Sequence, residues 1–493
     1  MMKKTKKGLI YRLAAALCCG LLLPSAPVLA SSQAELLLET HRAMEIQSNE
    51  IPGWPNGPVV GAESAILMEI ETGAILYSKN IHQRQYPAST TKILTALIAS
   101  ERCEMDEIVT FSHDAVFDTP YDSSHIAMNP GEELTMEQSL NAILIRSANE
   151  VCYAVAEHIT DTTDWQVFAG IMNERAAELG ALNSHFVNPN GLPDENHYTT
   201  AYDLAMIGRA FFANEMLCKI TLSRRIDFPP TEKLPLGKLE NNNMKIIPGG
   251  EYAYEYLVGC KTGYTDIARS CLVSCAEKDG MKLICVVMHD ESPYQYQDTI
   301  SLFEYGFSNF EKRNVSKSET RYNIDDTGLF YSGNDLFGSS RPFLSLDRDD
   351  FVLLPRTASF EDVESSISYD TGDENQAAVI SYTYQGIPIG SARVHFSAQP
   401  EGDSLFDTTP EDVPAPVQGV DGRPVIFVNV TFLLTGAGIL AGIILVWLLV
   451  RSILKNYQFG GRKNRDSKKE RRRRRNRRRG RNRKSGGYRD LEF

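Results

Sequence analysis

The chain lacks the cysteine and histidine spacings that mark metal sites and disulfide frameworks. It holds nine cysteines without a C-x-x-C pair, and its nine histidines are scattered singly. Seven cysteines lie beyond residue 30, an odd number, and most occur in apolar runs such as "CLVSC" and "LICVVM". Because buried thiols behave as small hydrophobic groups, we predict free cysteines in a core, with no metal site and no cofactor.

An even distribution of charge is also missing. The formal net charge is −12, but from Arg451 onward 19 basic residues stand against 4 acidic ones, and the first 30 residues carry five basic groups and no acid. Residues 31–450 therefore have a charge near −32, which disfavours nucleic acid as a partner. Segments of such opposite charge in one chain indicate that the protein works in two compartments.

The first 30 residues have the pattern of a secretory signal peptide. A basic start is followed by an apolar run over residues 13–23 and by small residues ending in "VLA". This pattern predicts cleavage after Ala30. A signal anchor is the alternative, but the apolar run is short for a membrane span.

The opposite end predicts a membrane anchor. Residues 425–450 are 26 consecutive residues without charge, and about 20 helical residues span a bilayer. The arginine-rich segment 451–493 follows, so the positive-inside rule places the C-terminus in the cytoplasm. We expect a single-pass cell-membrane protein with its acidic bulk outside the cytoplasm. The basic tail is expected to contact anionic lipid, with RNA or an acidic cytoplasmic protein as alternatives.

Between these ends the pattern predicts one large and one small domain. Residues 31–312 have strand patterns at both ends and helices between, typical of an α/β (α+β) domain with an antiparallel sheet flanked by helices and a helical lobe. The expected features are two strands around the turn at residues 71–73, a strong helical pattern over 135–159, a hairpin over 271–290 on an Asp-Gly turn, and a helix over 298–312. Residues 313–398 predict a small all-β domain, and the Pro- and acid-rich residues 399–424 predict an extended linker.

A serine and a lysine three residues apart open an apolar helix in "YPASTTKILTAL". Ser89 and Lys92 share one face of that helix. Desolvation should lower the pKa of Lys92, making a neutral amine available to activate the Ser89 hydroxyl. Alternatively Ser89 caps the helix and Lys92 extends to solvent, because S-x-x-K is common by chance.

Two further polar groups interrupt apolar patterns. Ser147 and Asn149 lie in "LIRSANEV", where a hydroxyl and a carboxamide can relay a proton and hold a substrate amide. Lys261, Thr262 and Gly263 lie in "LVGCKTGYTD" on a predicted edge strand. The lysine and threonine there can hold a carboxylate, and the glycine lets substrate backbone approach. A local helix cap and an ordinary edge strand are the simpler alternatives.

Taken in order, the S-x-x-K, S-x-N and K-T-G motifs resemble those of penicillin-binding proteins and serine β-lactamases. The flanking sequences "YPASTTKILTAL", "NPNGLPDENHYTTAYDLA" and "KTGYTD" resemble the low-molecular-weight D-alanyl-D-alanine carboxypeptidases, peptidase family S11. The resemblance covers about residues 50–310 and, more weakly, 313–397.

This resemblance implies roles for the matching residues. Ser89 would attack the carbonyl between two terminal D-alanines of a peptidoglycan stem peptide, and Lys92 would take its proton. Ser147 would help to protonate the leaving amine, and Asn149 would hold the peptide. The substrate-binding residues implied on the edge strand are Lys261, Thr262, Gly263 and Tyr264, with the backbone N–H groups of Ser89 and Tyr264 forming an oxyanion hole. β-Lactams would acylate Ser89 and leave slowly.

The chain departs from the family at two places. Ala148 stands where glycine or aspartate is usual, and the chain is expected to end in a spanning helix where many relatives have an amphipathic anchor.

Three other functions remain open. A β-lactamase would need a carboxylate aimed at the deacylating water. Asp194 and Glu195 follow "NPNGLP", but their setting resembles that in the carboxypeptidases. A transpeptidase shares the motifs but is usually anchored at its N-terminus. A membrane-anchored β-lactam receptor or scaffold would bind without turnover.

Overall fold

The computed structural model describes residues 33–228, 230, 236–321, 344–373 and 375–396. These residues belong to one compact unit. The predicted signal peptide, linker, spanning segment and basic tail lie outside them. Among the described residues no helix is both long and apolar enough to cross a membrane.

The α-helices in the described part are α1 (Gln33–Arg42), α2 (Lys92–Arg102), α3 (His113–Phe117), α4 (Met136–Asn141), α5 (Asn149–Thr160), α6 (Trp165–Glu178), α7 (Ala201–Ala213), α8 (Glu215–Leu222), α9 (Tyr294–Asn309) and α10 (Val315–Ser318). Short 3₁₀ turns cover Gln47–Glu50, Ala88–Thr91 and Phe360–Asp362, and a π-helical turn covers Ala142–Arg146.

The strands are β1 (Ser64–Glu69), β2 (Ile75–Lys79), β3 (Ile108–Thr110), β4 (Glu133–Thr135), β5 (Arg225–Phe228), β6 (Lys238–Asn241), β7 (Leu257–Thr265), β8 (Arg269–Lys278), β9 (Met281–Asp290), β10 (Phe310–Asn314), β11 (Leu344–Leu346), β12 (Phe351–Pro355), β13 (Glu364–Ser368), β14 (Gln376–Tyr384) and β15 (Ile387–Phe396).

A five-stranded antiparallel sheet, in the order β2-β1-β9-β8-β7, forms the centre of the molecule. Both predicted hairpins are present: β1 pairs with β2, and β8 pairs with β9 around Asp279 and Gly280. These two turn residues have φ of +52° and +74°, the left-handed pair that a two-residue Asp-Gly loop favours. Strand β7, which carries Lys261 to Gly263, lies at the sheet edge.

Successive side chains of a strand point to opposite faces, and the central sheet uses both. Ile66 and Val286 contribute to a cluster with the helical lobe, including α2, α5 and α7. Leu67 and Val287, their chain neighbours, contribute to a second cluster with α9 and the C-terminal strands. The central sheet is therefore buried between two apolar layers, which explains its near-continuous hydrophobic runs.

The C-terminal strands form a second antiparallel sheet, in the order β10-β12-β15-β14-β13 with β11 paired to β15. It begins at Phe310, and the boundary predicted at residue 313 remains a prediction. Trp54 links this sheet to the N-terminal segment, since its ring lies 5.1 Å from that of Phe310 and 6.2 Å from that of Tyr384. The buried residues of the second sheet thus share one core with the central sheet.

Two helix predictions need correction. The pattern over 135–159 forms two helices, because the backbone widens into a π turn at 142–146 and Ser147 has φ of +59°. The helix predicted over 298–312 ends at Asn309, where the chain enters β10. The seven cysteines of the described part are free, and all but the partly exposed Cys103 are buried, as predicted.

Two glycines in helices should respond oppositely to the same substitution. Gly170 of α6 has no atom within 4 Å of an added Cβ, whereas one on Gly306 of α9 would lie 2.6 Å from Leu283 and 2.7 Å from Leu67. We expect Gly170→Ala to raise the free energy of unfolding by about 0.5–1 kcal/mol by restricting the unfolded chain. Gly306→Ala should lower it by about 1–3 kcal/mol through overpacking. Thermal unfolding of both variants checks the pair, and equal shifts would contradict the packing of α9 on the sheet.

Candidate active site

The Lys92 amine lies at the meeting point of three chain segments. Its Nζ donates to Ser89 Oγ at 3.0 Å, to Asn149 Oδ1 at 2.7 Å and to the Asn190 carbonyl at 2.6 Å. The Lys92 side chain is fully buried. The alternative in which Lys92 extends to solvent therefore does not describe this structure.

The same contacts show how the amine can act as a base. Burial lowers the pKa of Lys92 to about 8. A neutral amine has two hydrogens, and the oxygens of Asn149 and Asn190 only accept hydrogen bonds. With both hydrogens on those oxygens, the nitrogen lone pair faces the Ser89 hydroxyl. This arrangement fits proton removal from the nucleophile.

The turn that carries Ser89 is held in an unusual conformation. Ala88 has φ of +48°, which costs a non-glycine residue on the order of 1 kcal/mol. The Ala88 carbonyl accepts from Thr91 Oγ1 at 2.9 Å, and Thr91 Oγ1 lies 2.9 Å from His197 Nε2. The Val187 N–H donates to His197 Nδ1 at 3.3 Å, so the ring proton is on Nε2 and the imidazole donates to Thr91. Burial lowers the pKa of His197 to about 4, which keeps this tautomer neutral.

The segment of residues 188–191 closes the site from the other side. Asn190 supplies its carbonyl to Lys92, and the Asn188 side chain accepts from the Gly191 N–H at 2.7 Å. Gly191 has φ of +84°, and an added Cβ would lie 1.9 Å from the Ala88 carbonyl oxygen. Only glycine fits where these two backbones touch.

Ser147 and Lys261 form the second polar pair of the site. Lys261 Nζ donates to Ser147 Oγ at 3.2 Å and to the Thr262 carbonyl at 2.7 Å. The left-handed backbone of Ser147 turns its hydroxyl away from the helix path, and Asn149 then begins α5. Burial, followed by the charge of Lys92, lowers the pKa of Lys261 to about 7. The charge of Lys92 thus disfavours the charged form of Lys261.

Strand β7 lies directly against the Ser89 turn. A Cβ on Gly263 would lie 2.9 Å from the Ser89 backbone nitrogen and 3.0 Å from the Pro87 oxygen. The neighbouring Thr262 is partly buried and Tyr264 is 55% exposed, so this edge faces an open cleft. Arg269 stabilises the position of Tyr264, because it pairs with both Glu291 oxygens and donates to Tyr264 Oη at 3.3 Å.

The structure therefore gathers the eight residues predicted from the sequence, Ser89, Lys92, Ser147, Asn149, Lys261, Thr262, Gly263 and Tyr264, around one cleft. Their catalytic roles remain predictions. Sequence reasoning missed the carbonyl of Asn190, the glycine at 191 and the imidazole of His197. The clustered turn residues of "NPNG" were the available signal for the first two.

Comparisons with known proteins agree with this geometry. The model of the family described as D-alanyl-D-alanine carboxypeptidase, peptidase S11, matches residues 53–292. A D-alanyl-D-alanine carboxypeptidase of Bacillus subtilis is 33% identical over 264 residues, which are 52% of this chain and 64% of the relative. One from Mycobacterium tuberculosis is 30% identical over 262 residues, covering 52% of this chain and 84% of the relative.

Solved structures show the same architecture. Penicillin-binding protein 5 of Haemophilus influenzae aligns with a TM-score of 0.55 and 25% identity over 70% of this chain and 99% of its own. Penicillin-binding protein 6B of Escherichia coli aligns with a TM-score of 0.52 and 23% identity over 70% of this chain and 98% of its own, a likeness of fold. The fold is that of the penicillin-binding DD-peptidases. The chain belongs to the D-alanyl-D-alanine carboxypeptidase family of serine peptidases.

The contact between β7 and the nucleophile turn yields a test. We expect Gly263→Ala to slow acylation by benzylpenicillin by about 100-fold or more, because backbone atoms of Pro87, Ser89 and Thr90 must shift to admit the methyl group. Intact-protein mass spectrometry over time measures the rate. Gly170→Ala, at an exposed position of α6, is the matched control and should acylate at the wild-type rate. If Gly263→Ala is acylated at the wild-type rate, the contact between Gly263 and the Ser89 turn does not determine the reactive geometry of Ser89.

Proposed function

We propose that the protein is a serine-type D-Ala-D-Ala carboxypeptidase that removes the terminal D-alanine from peptidoglycan stem peptides and is inhibited covalently by β-lactams. The main support is the buried Lys92 amine. Its lone pair can face Ser89 Oγ while its two hydrogens are donated to Asn149 Oδ1 and the Asn190 carbonyl oxygen. Family membership and the names of the relatives support the same reaction.

In this proposal Ser89 Oγ attacks the carbonyl carbon of the penultimate D-alanine as Lys92 takes the hydroxyl proton. The backbone N–H groups of Ser89 and Tyr264 stabilise the oxyanion. The C–N bond then breaks, and the proton that Lys92 took is passed to the leaving amine with the help of Ser147, which leaves Lys92 neutral again. Water, deprotonated at Lys92, attacks the ester and restores free Ser89.

Lys261 and Thr262 bind the terminal carboxylate in this scheme. A pKa of Lys261 near 7 in the free site rises when a carboxylate binds, because an opposite charge favours the ammonium. The ammonium that forms is paired with the bound carboxylate, so binding adds no net positive charge beside Lys92. The neutral form of Lys92 is favoured by its burial.

The arrangement favours a carboxypeptidase over a β-lactamase. Asp194 and Glu195 are exposed, and the Asp194 carboxylate accepts from the Asn196 N–H of its own loop at 2.8 Å. Neither carboxylate is directed at the Ser89 turn by a contact of the described residues. Slow release of a penicilloyl group from Ser89 follows.

The reaction is tested by comparing the full-length protein with Ser89→Ala. The wild type should form a stable benzylpenicillin adduct and release D-alanine from diacyl-Lys-D-Ala-D-Ala, whereas Ser89→Ala should do neither. Ser100→Ala, near the end of the following helix α2, is the control and should retain both properties. An adduct without D-alanine release would indicate a receptor or a cross-linking enzyme, and rapid penicillin destruction a β-lactamase.

The proposal includes attachment of the enzyme to the cell membrane by a single span at residues 425–450, with the catalytic domain outside the cytoplasm. The uncharged run and the basic segment after it support this topology. The basic tail then lies beside anionic lipid.

Two charges at the centre of that run test the anchor. Arginine in the middle of a span costs about 2.5–3.5 kcal/mol per residue. We expect the double variant Ile439→Arg with Ile444→Arg to leave the membrane fraction on alkaline extraction, whereas the double alanine variant at the same positions stays. Retention of the arginine variant would contradict anchoring by this segment.

A further inference from the structure

Three residues that are distant in sequence bring metal-binding atoms together away from the Ser89 turn. His41 lies in the last turn of α1, Glu63 directly precedes β1, and His289 lies near the end of β9. One ligand atom from each lies within 4.8 Å of those of the other two. Sequence spacing gave no sign of this group, because the fold alone joins residues 41, 63 and 289.

His41 has the environment of a ligating histidine. Its side chain is nearly fully buried, and its Nδ1 lies 3.0 Å from the Gly61 carbonyl oxygen. A carbonyl only accepts, so Nδ1 carries the proton and the neutral ring leaves its lone pair on Nε2. That Nε2 lies 3.9 Å from Glu63 Oε2. Ligating histidines in proteins are usually oriented by such a bond from the other ring nitrogen.

His289 reaches the cluster through a distortion of the sheet. Ser270 pairs with Asp290 and Leu272 with Val287, so two β9 residues face one β8 residue. His289 is in this bulge with φ of +53°, and bulges redirect side chains. Its Nδ1 contacts Glu63 Oε2, while Glu63 Oε1 accepts from Gln83 Nε2 at 2.5 Å. One carboxylate oxygen is thus held by an amide and the other faces both imidazoles.

We propose that His41 Nε2, Glu63 Oε2 and His289 Nδ1 bind one Zn²⁺ ion, with water as a fourth ligand, and that the ion fastens α1 to the central sheet. Two imidazoles and a carboxylate are a recurrent zinc ligand set. Tetrahedral coordination at 2.0–2.1 Å places ligand atoms roughly 3.3 Å apart, so shifts of about 1 Å complete the site. Glu63 and His289 are partly exposed, which gives the ion and the water a route in.

Charged groups around the three-residue cluster affect its affinity for a cation. Lys79 Nζ opposes a cation, because it binds the carbonyl of His41 itself at 2.8 Å. The buried carboxyl groups of Asp290 and Asp298 lie near Lys79, and Asp298 also accepts from the Gly61 N–H at 2.5 Å. Burial raises the pKa of both acids, so the pair carries less than its full negative charge and offsets the lysine only in part.

A second cluster, formed by Cys103, Glu107 and His158, supplies the matched control. Burial raises the pKa of the Cys103 thiol to about 11, so the thiolate that zinc requires is scarce at neutral pH. A substitution there should leave zinc binding unchanged.

The test titrates Zn²⁺ into the metal-stripped full-length protein, purified without a histidine tag. We expect one equivalent to bind and the melting temperature to rise by roughly 5 °C at a free Zn²⁺ concentration about 100 times Kd. His41→Gln, Glu63→Gln and His289→Asn should each bind Zn²⁺ at least tenfold more weakly, and His158→Gln as tightly as wild type. Benzylpenicillin acylation without zinc reports that each variant is folded.

No uptake by the wild type, or loss of binding in His158→Gln instead of the three cluster variants, would overturn the proposal. A Co²⁺ titration of the unaltered protein is independent of any folding defect in a variant. A tetrahedral visible spectrum is expected, and an octahedral one would contradict the site.

Discussion

A buried ammonium group must be surrounded by oxygen atoms or lose its proton, and Lys92 is placed where both options are open. Its nitrogen contacts Ser89, Asn149 and Asn190, which lie on the 3₁₀ turn before α2, on α5 and on the loop before α7. Desolvation lowers the pKa from 10.5 to about 8, a cost of roughly 3 kcal/mol for the charged form. Because the folded state binds this proton more weakly than the unfolded state, the cost is full below pH 8. It disappears as the pH rises from about 8 past 10.5.

The other residues of the site keep the Lys92 nitrogen and the Ser89 hydroxyl in contact. The left-handed Ala88 presents Ser89, and the Thr91–His197 hydrogen bond holds the turn. Glycine is required at 191 and 263, where two backbones meet the turn from opposite sides. The sheet contributes by placing β7 at its edge, so that Lys261 can face Ser147 while Tyr264 remains open to the cleft.

Much of this could be predicted from local sequence. The Asp-Gly hairpin, the apolar helix after Lys92 and the free cysteines follow from residue pattern and turn chemistry. The three motifs indicated which polar groups would meet. Their distances, however, depend on the packing of three separate segments.

Other features of the structure could not be predicted from a sequence pattern. The π turn before Ser147 leaves no mark in the sequence, because helical periodicity continues through it. The carbonyl of Asn190 is a backbone group, and side-chain identity does not encode its direction. The common core of the two sheets depends on Trp54, Phe310 and Tyr384, and Trp54 comes from a segment more than two hundred residues before the other two. His41, Glu63 and His289 meet only because α1 folds onto a bulged sheet.

The most direct test of the account is the ionisation of Lys92 itself. Protein labelled with ¹³C at the lysine Cε positions, compared with Lys92→Gln and Lys261→Gln, allows the Lys92 signal to be assigned and followed against pH by NMR. The account predicts a titration midpoint near 8 for Lys92 in the free enzyme. A midpoint that stays near the ordinary value of 10.5 would mean that burial does not provide the neutral amine, and the serine would need another base.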